Sequence, residues 1–121
     1  MNGNGKAREM PPPLELQCLR ALWTLGAANV SDVQQTLASQ KPLAYTTVMT
    51  LLERLLRKGA VTRQKQGRHF VYSPAVTREV LRRVAVRQLA DNFFDGSEAA
   101  LMRYLETRGG PGPTMADVLC E

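Results

Sequence analysis

The segment AYTTVMTLLERLLRKGAVTRQKQGRHFVYSP, Ala44 to Pro74, joins two patterns of different period. In its first half Val48, Leu51, Leu52, Leu55 and Leu56 recur at i, i+3, i+4, i+7 and i+8, which lines one side of an α-helix with apolar side chains. That stripe must face other elements, so it orients the helix: Thr46, Thr50, Glu53 and Arg57 fall opposite, flanked by Thr47, Met49 and Arg54. No strong side-chain cap marks its start. Gly59 supplies the stop, preceded by Arg57 and Lys58, cations that suit the negative end of a helix dipole. In the second half, Ala60 to Gln64 and Arg68 to Tyr72 read as two strands around Lys65-Gln66-Gly67. Val61, Phe70, Val71 and Tyr72 favour extended backbone and Gly67 permits positive φ. The cations Arg63, Lys65 and Arg68 are expected around the tip of this hairpin rather than along its core side.

Towards the N-terminus, Leu16, Leu19, Leu22 and Trp23 recur at helical spacing within Leu14 to Leu25, and Gly26 ends the pattern. Pro11, Pro12 and Pro13 form a stiff entry to this helix, and Trp23 is read as a core anchor. Ser31 and Gln34 have the spacing of a capping box, which predicts a second helix from Asp32, burying Val33 and Leu37 and ending near Ser39. Pro42 biases Lys41 away from helical angles, so Gln40 to Leu43 is the turn into the third helix.

Beyond Pro74 the helical pattern resumes with Thr77 as cap, Glu79 in the first turn, then Val80, Leu81, Val84, Leu89 and Phe93. A further helix starts at Ser97 and Glu98 and carries Leu101, Tyr104 and Leu105 on one stripe. Two helices of this size cannot build a core alone, so these apolar residues are expected to dock on another surface, most simply a second copy of the chain. The expected organisation is a flexible lead over residues 1–13, a compact domain over 14–74, a helical dimerisation subdomain over 75–107, and a linker with a short tail over 108–121. Thr114 to Leu119 offers at most a marginal helix.

The chain has 121 residues, 44% hydrophobic and 22% charged, the composition of one globular domain with a small appendage. No apolar run approaches the roughly 20 residues that span a bilayer, and MNGNGKAREMPPP lacks the apolar core of a secretory signal. A cytoplasmic location without direct membrane insertion is expected. The net charge of +5 favours an anionic partner without choosing between DNA, RNA and an acidic membrane surface. Cys18 and Cys120 are too few and too far apart for a thiolate metal site, and His69 is the only histidine. Cys18 reads as a small buried hydrophobe and His69 as a residue of the hairpin. Paired carboxylates, a nucleophile beside a histidine, and a strand-to-helix glycine loop are all missing, which argues against an enzyme and calls for no cofactor.

Three helices followed by a basic hairpin define the expected fold: mainly α, a winged helix-turn-helix with a two- or three-stranded wing and a C-terminal helical dimerisation subdomain. A helix that reads double-stranded DNA needs short side chains near its N-terminus and cations further out. Thr46, Thr47, Met49 and Thr50 meet the first need, through hydroxyls and through methyl groups that can pack on thymine. Arg54 and Arg57 on the helix, and Arg63, Lys65 and Arg68 on the wing, are the candidate phosphate contacts. Tyr45 either donates its hydroxyl to a phosphate or packs at the helix entry. An interaction module that binds protein through the same surface is the alternative reading.

Leu14 to about Leu105 resembles the penicillinase-repressor (BlaI/MecI-type) transcription factors. The likeness rests on LELQCLRALWTLG in the first helix, AYTTVMTLLERLLRKGAV through the third, and GRHFVYSP in the second wing strand. The resemblance implies a homodimeric repressor that binds an inverted-repeat operator, with the C-terminal helices as its dimer interface. It places Thr46, Thr47, Met49 and Thr50 on the groove-facing segment and Arg68 on the wing. In members tied to antibiotic sensing it further implies a membrane sensor-protease pathway that leads to cleavage in the C-terminal region, here near Arg103 and Tyr104. Copper-responsive relatives carry paired C-x-C motifs near the C-terminus, which Cys120 alone does not form.

Overall fold

The computed structural model describes residues 10–108. Cys120, the linker after Arg108, the weak helix expected over Thr114 to Leu119 and most of the expected lead lie outside them. The elements run α1 (Pro13–Leu25), α2 (Val30–Leu37), α3 (Tyr45–Lys58), β1 (Val61–Gln66), β2 (His69–Pro74), α4 (Arg78–Phe93) and α5 (Glu98–Arg108). The chain divides into two compact units between Ala85 and Val86, inside α4.

In the first unit, α1 opens with Pro13 in its first turn, where a missing N–H costs nothing, and closes at Gly26, whose φ of 88° lets its N–H reach the Leu22 carbonyl at 2.7 Å. α2 starts two residues before the expected Asp32. Its cap is Asn29, whose side-chain oxygen accepts from the Asp32 N–H at 2.8 Å, so Ser31 lies inside the helix and the capping box does not form. Asparagine competes equally well for this position, and the chain enters the helix from an extended Asn29. α3 ends at left-handed Gly59, with the Ala60 N–H returning to the Leu55 carbonyl at 2.9 Å.

The core is built from the predicted stripes: Cys18, Leu19 and Leu22 of α1, Val33 and Leu37 of α2, and Val48, Leu51, Leu52 and Leu55 of α3 are buried together with Val61 and Tyr72. Leu16, Trp23 and Leu56 are partly buried against this cluster. Glu15 is buried too, at 3% exposure, although it interrupts the apolar run of α1. Its Oε1 accepts from Lys58 Nζ at 2.6 Å, which ties the first turn of α1 to the last turn of α3. Burial, and secondarily the Glu15 charge, push the Cys18 thiol up to about 12, so it is a packed hydrophobe and not a nucleophile.

β1 and β2 pair antiparallel from Val61↔Pro74 to Gln66↔His69, leaving a two-residue turn of Gly67 and Arg68. Gly67 has φ 62° and Arg68 does not have positive φ, the signature of a type II′ turn. The strands are therefore longer than expected: Lys65 and Gln66 lie in β1, while Arg68 belongs to the turn. A third strand is reduced to one bridge, Ala28↔Tyr72, bonded in both directions at 2.9 and 2.8 Å. It fastens the root of the hairpin beside α1 and α2.

The start of α4 also belongs to this unit. Thr77 caps it, its hydroxyl accepting from the Val80 N–H at 3.1 Å. Leu81 is buried in the core cluster and Val84 packs against it, so these two serve the first unit instead of an exposed pairing surface. For the same reason the compact unit extends past Pro74, where the sequence boundary was expected. Trp23 donates from Nε1 to the Val76 carbonyl at 2.9 Å, and the Arg78 guanidinium stands 5.2 Å from its ring centroid.

The second unit contains the end of α4 and all of α5. Asp95 and Gly96 both adopt positive φ between them, 53° and 83°. Ser97 caps α5, its hydroxyl accepting from the Ala100 N–H at 3.0 Å. Arg87 joins the parts by donating to Asp91 Oδ1 at 2.7 Å, to the Gly96 carbonyl at 2.7 Å and to Glu98 Oε2 at 3.1 Å. The hydrogen bond from Arg87 holds the Asp91 carboxyl below its ordinary value, and the Asp91 hydrogen bond in turn raises Arg87. Phe94 and Tyr104 pack with ring centroids 5.6 Å apart. Leu101 is buried, whereas Val80 and Leu89 on α4 and Tyr104 and Leu105 on α5 are exposed, and Phe93 is 74% exposed. Arg103 and Tyr104 lie within regular α5 helix.

Candidate nucleic-acid interface

The orientation of α3 follows from its apolar stripe, and its entry is set by α2. Ala44, the residue before the first turn, offers no side-chain cap. Gln34 on α2 instead donates from Nε2 to the Leu43 carbonyl at 3.0 Å, and Leu43 packs partly buried against the core. Gln34 has the spacing of a capping-box partner, but its side chain bonds to Leu43 and fixes the turn between α2 and α3. No local spacing signals that bond, because nine residues separate donor and acceptor.

Thr46, Thr47, Thr50, Arg54 and Arg57 are all exposed along α3. Thr47, Thr50 and Arg54 stand at i, i+3 and i+7 on one row. The Thr50 hydroxyl donates to the Thr46 carbonyl at 3.0 Å, which uses its proton and leaves its oxygen able to accept. Met49 is only half-exposed and packs against the core, so it sits at the edge of this surface, not in its middle. Tyr45 is 46% exposed at the helix entry, consistent with either of its readings.

On the hairpin, residues 62–70 are exposed throughout. The register puts Arg63 opposite Tyr72 and Lys65 opposite Phe70, so both cations share a pleat face with Val61 and Tyr72. The wing cations are thus not confined to the tip, as expected from sequence: Arg68 occupies the turn, while Arg63 and Lys65 lie along the outward continuation of the core face. The difference arises because β1 runs on to Gln66 and so places Arg63 in mid-strand. Among the described residues, Arg54, Arg63, Lys65 and Arg68 have no carboxylate partner. The Arg63 guanidinium carbon lies 4.1 Å from the centroid of the Phe70 ring, which is itself 41% exposed. In sequence Phe70 shows only as a strand former; its place on the Arg63 face follows from the strand register.

Among the described residues no group of three or more His, Cys, Asp or Glu side chains could hold a metal ion, and no helix is long and apolar enough to cross a membrane.

Three helices with a two-stranded antiparallel wing make this a winged helix-turn-helix fold. Residues 12–110 match the family model of the penicillinase repressor. The chain is 35% identical over 99 residues to the transcriptional regulator BlaI of Mycobacterium tuberculosis, covering 79% of this chain and 72% of that protein. It is 28% identical over 93 residues to the penicillinase repressor of Bacillus licheniformis, covering 76% and 73%. Among solved structures it is similar to the solution structure of monomeric B. licheniformis BlaI in complex with the blaP half-operator, with 29% identity, a TM-score of 0.51, and 60% and 88% of the two chains covered. The chain belongs to the penicillinase repressor family.

Proposed function

We propose that this chain is a DNA-binding transcriptional repressor that occupies an inverted-repeat operator as a homodimer. The observation that carries the reading is the exposed face of α3, with Thr46, Thr47 and Thr50 near its start and Arg54 beyond, next in sequence to a wing with three exposed cations. A relative of known structure was solved with a half-operator, which supports the same use of the fold here. In this reading the threonines, with Met49 at their edge, face the bases of one major groove. Arg54, Arg57, Arg63, Lys65 and Arg68 hold phosphates, and Tyr45 adds a hydroxyl at the helix entry. Pairing of two copies uses the exposed apolar residues Val80, Leu89, Phe93, Tyr104 and Leu105. Two half-sites at fixed spacing then raise specificity beyond what one helix supplies, and occupancy excludes polymerase from the promoter.

The test is selection of duplexes from a random pool, followed by anisotropy titration of the selected duplex at several salt concentrations. If five cations meet phosphates, log affinity falls with log salt at a slope of about −4.5 per bound protomer. Selected sites should contain an inverted repeat. Failure to bind any duplex at low salt refutes DNA recognition, and selected sites without an inverted repeat refute the dimeric mode.

A further inference from the structure

We propose that Phe70 is a positioning residue for DNA binding, its exposed ring holding the Arg63 guanidinium ready to meet a backbone phosphate. The proposal rests on the DNA-binding reading above. Between Thr62 and Phe70 the hairpin is exposed and otherwise polar, so an aromatic ring there serves no core. The antiparallel register explains what it does serve. Arg63 pairs with Tyr72, which puts Phe70 on the diagonal of Arg63 and on the same pleat face, within reach of a long side chain. The guanidinium carbon stands 4.1 Å from the ring centroid, well inside the range of a cation–π contact.

A stacked guanidinium keeps its planar edges free. Its N–H donors lie in the plane of the group, so contact through the face with Phe70 leaves the fork available for phosphate oxygens. No carboxylate competes for Arg63 among the described residues. Lys65, directly opposite Phe70, adds a second cation on the same face. An unsupported arginine must lose its rotamer freedom when it binds, whereas Arg63 is already restrained. Arg68, in the turn, makes no ring contact among the described residues and provides an internal comparison.

Phe70→Leu keeps an apolar side chain and removes the ring; Phe70→Tyr keeps the ring. In the free full-length protein, the Arg63 Nε–Hε resonance should move in Phe70→Leu and stay in Phe70→Tyr, while that of Arg68 is unaffected. On the selected duplex, Phe70→Leu should flatten the salt slope by up to about 0.9, as Arg63→Ala does, which changes the ratio of affinities at 50 and 200 mM salt by about 3.5-fold. Phe70→Tyr should retain the wild-type slope, and Phe70→Leu should add nothing in the Arg63→Ala background. A wild-type slope in Phe70→Leu, or an equal loss with and without Arg63, overturns the positioning role while leaving DNA binding intact. Wild-type protein that binds no duplex removes the DNA-binding premise instead.

Discussion

Replacing Lys58 with methionine deprives Glu15 of its partner while keeping an unbranched apolar side chain of similar length. The Glu15 side chain is 4% exposed and its Oε1 lies 2.6 Å from Lys58 Nζ, so its charge has no ready access to water. A hydrogen bond to a charged group contributes about 1.5–3 kcal/mol, and leaving one member of a buried pair alone costs about 3–5 kcal/mol. Lys58 is 46% exposed, however, and solvent screening moves the expectation to the lower end, about 2 kcal/mol. For a domain of this size that lowers the melting temperature by roughly 8–16 °C. The double variant Glu15→Leu/Lys58→Met removes the stranded carboxylate as well and should recover to within about 1 kcal/mol of wild type. Urea and thermal melts by circular dichroism, at pH 7 and one fixed protein concentration, provide the comparison. A single variant as stable as wild type, or a double variant as unstable as the single, would refute the claim that this pair closes the α1–α3 contact.

Gln34→Ala removes the donor to the Leu43 carbonyl and should cost about 1 kcal/mol in a melt, with a loss of duplex affinity because α3 is less firmly placed; unchanged affinity would deny the turn its positioning role. The Asp91 carboxyl, lowered by Arg87, stabilises the α4–α5 turn above the ordinary carboxylate value, and that contribution disappears as pH falls through its folded value. Arg87→Ala should therefore return the Asp91 carboxyl carbon titration, followed by NMR, towards the ordinary 3.8, and an unmoved titration would exclude Arg87 as the cause. Phe93→Asp places a charge on the most exposed large apolar side chain among the described residues and should shift the protein to monomer in sedimentation without changing its fold; an undiminished dimer would put the interface elsewhere.

The parts legible in sequence were those carried by a strong local period. The stripe Val48, Leu51, Leu52, Leu55 fixes both the existence and the facing of α3, and from that the exposed threonines follow. Gly59, in the left-handed conformation, and Gly26, at positive φ, mark their helix ends as clearly. What escaped depends on partners distant in sequence. Glu15 looks like a surface charge until Lys58, 43 residues away, is brought beside it. Leu81, Val84 and Leu101 carry the same apolar signal as Leu89 and Phe93, yet they are buried or partly buried and the latter are exposed; periodicity records that a side chain wants cover, not which surface supplies it. At the hairpin, β1 ends two residues later and β2 starts one residue later than expected, which puts Arg68 in the turn and Arg63 in mid-strand, because register depends on where the type II′ turn closes.

Trp23 is the only tryptophan of the chain, and its surroundings make it a built-in optical gauge. Its indole N–H is held by the carbonyl of Val76, 53 residues further along, and its ring lies near the Arg78 guanidinium. Emission from this one fluorophore therefore reports whether the chain leaving the wing is seated against α1. Followed beside a sedimentation measurement, it separates loosening of the DNA-reading body from dissociation of copies, two events that a single circular dichroism melt would merge into one curve.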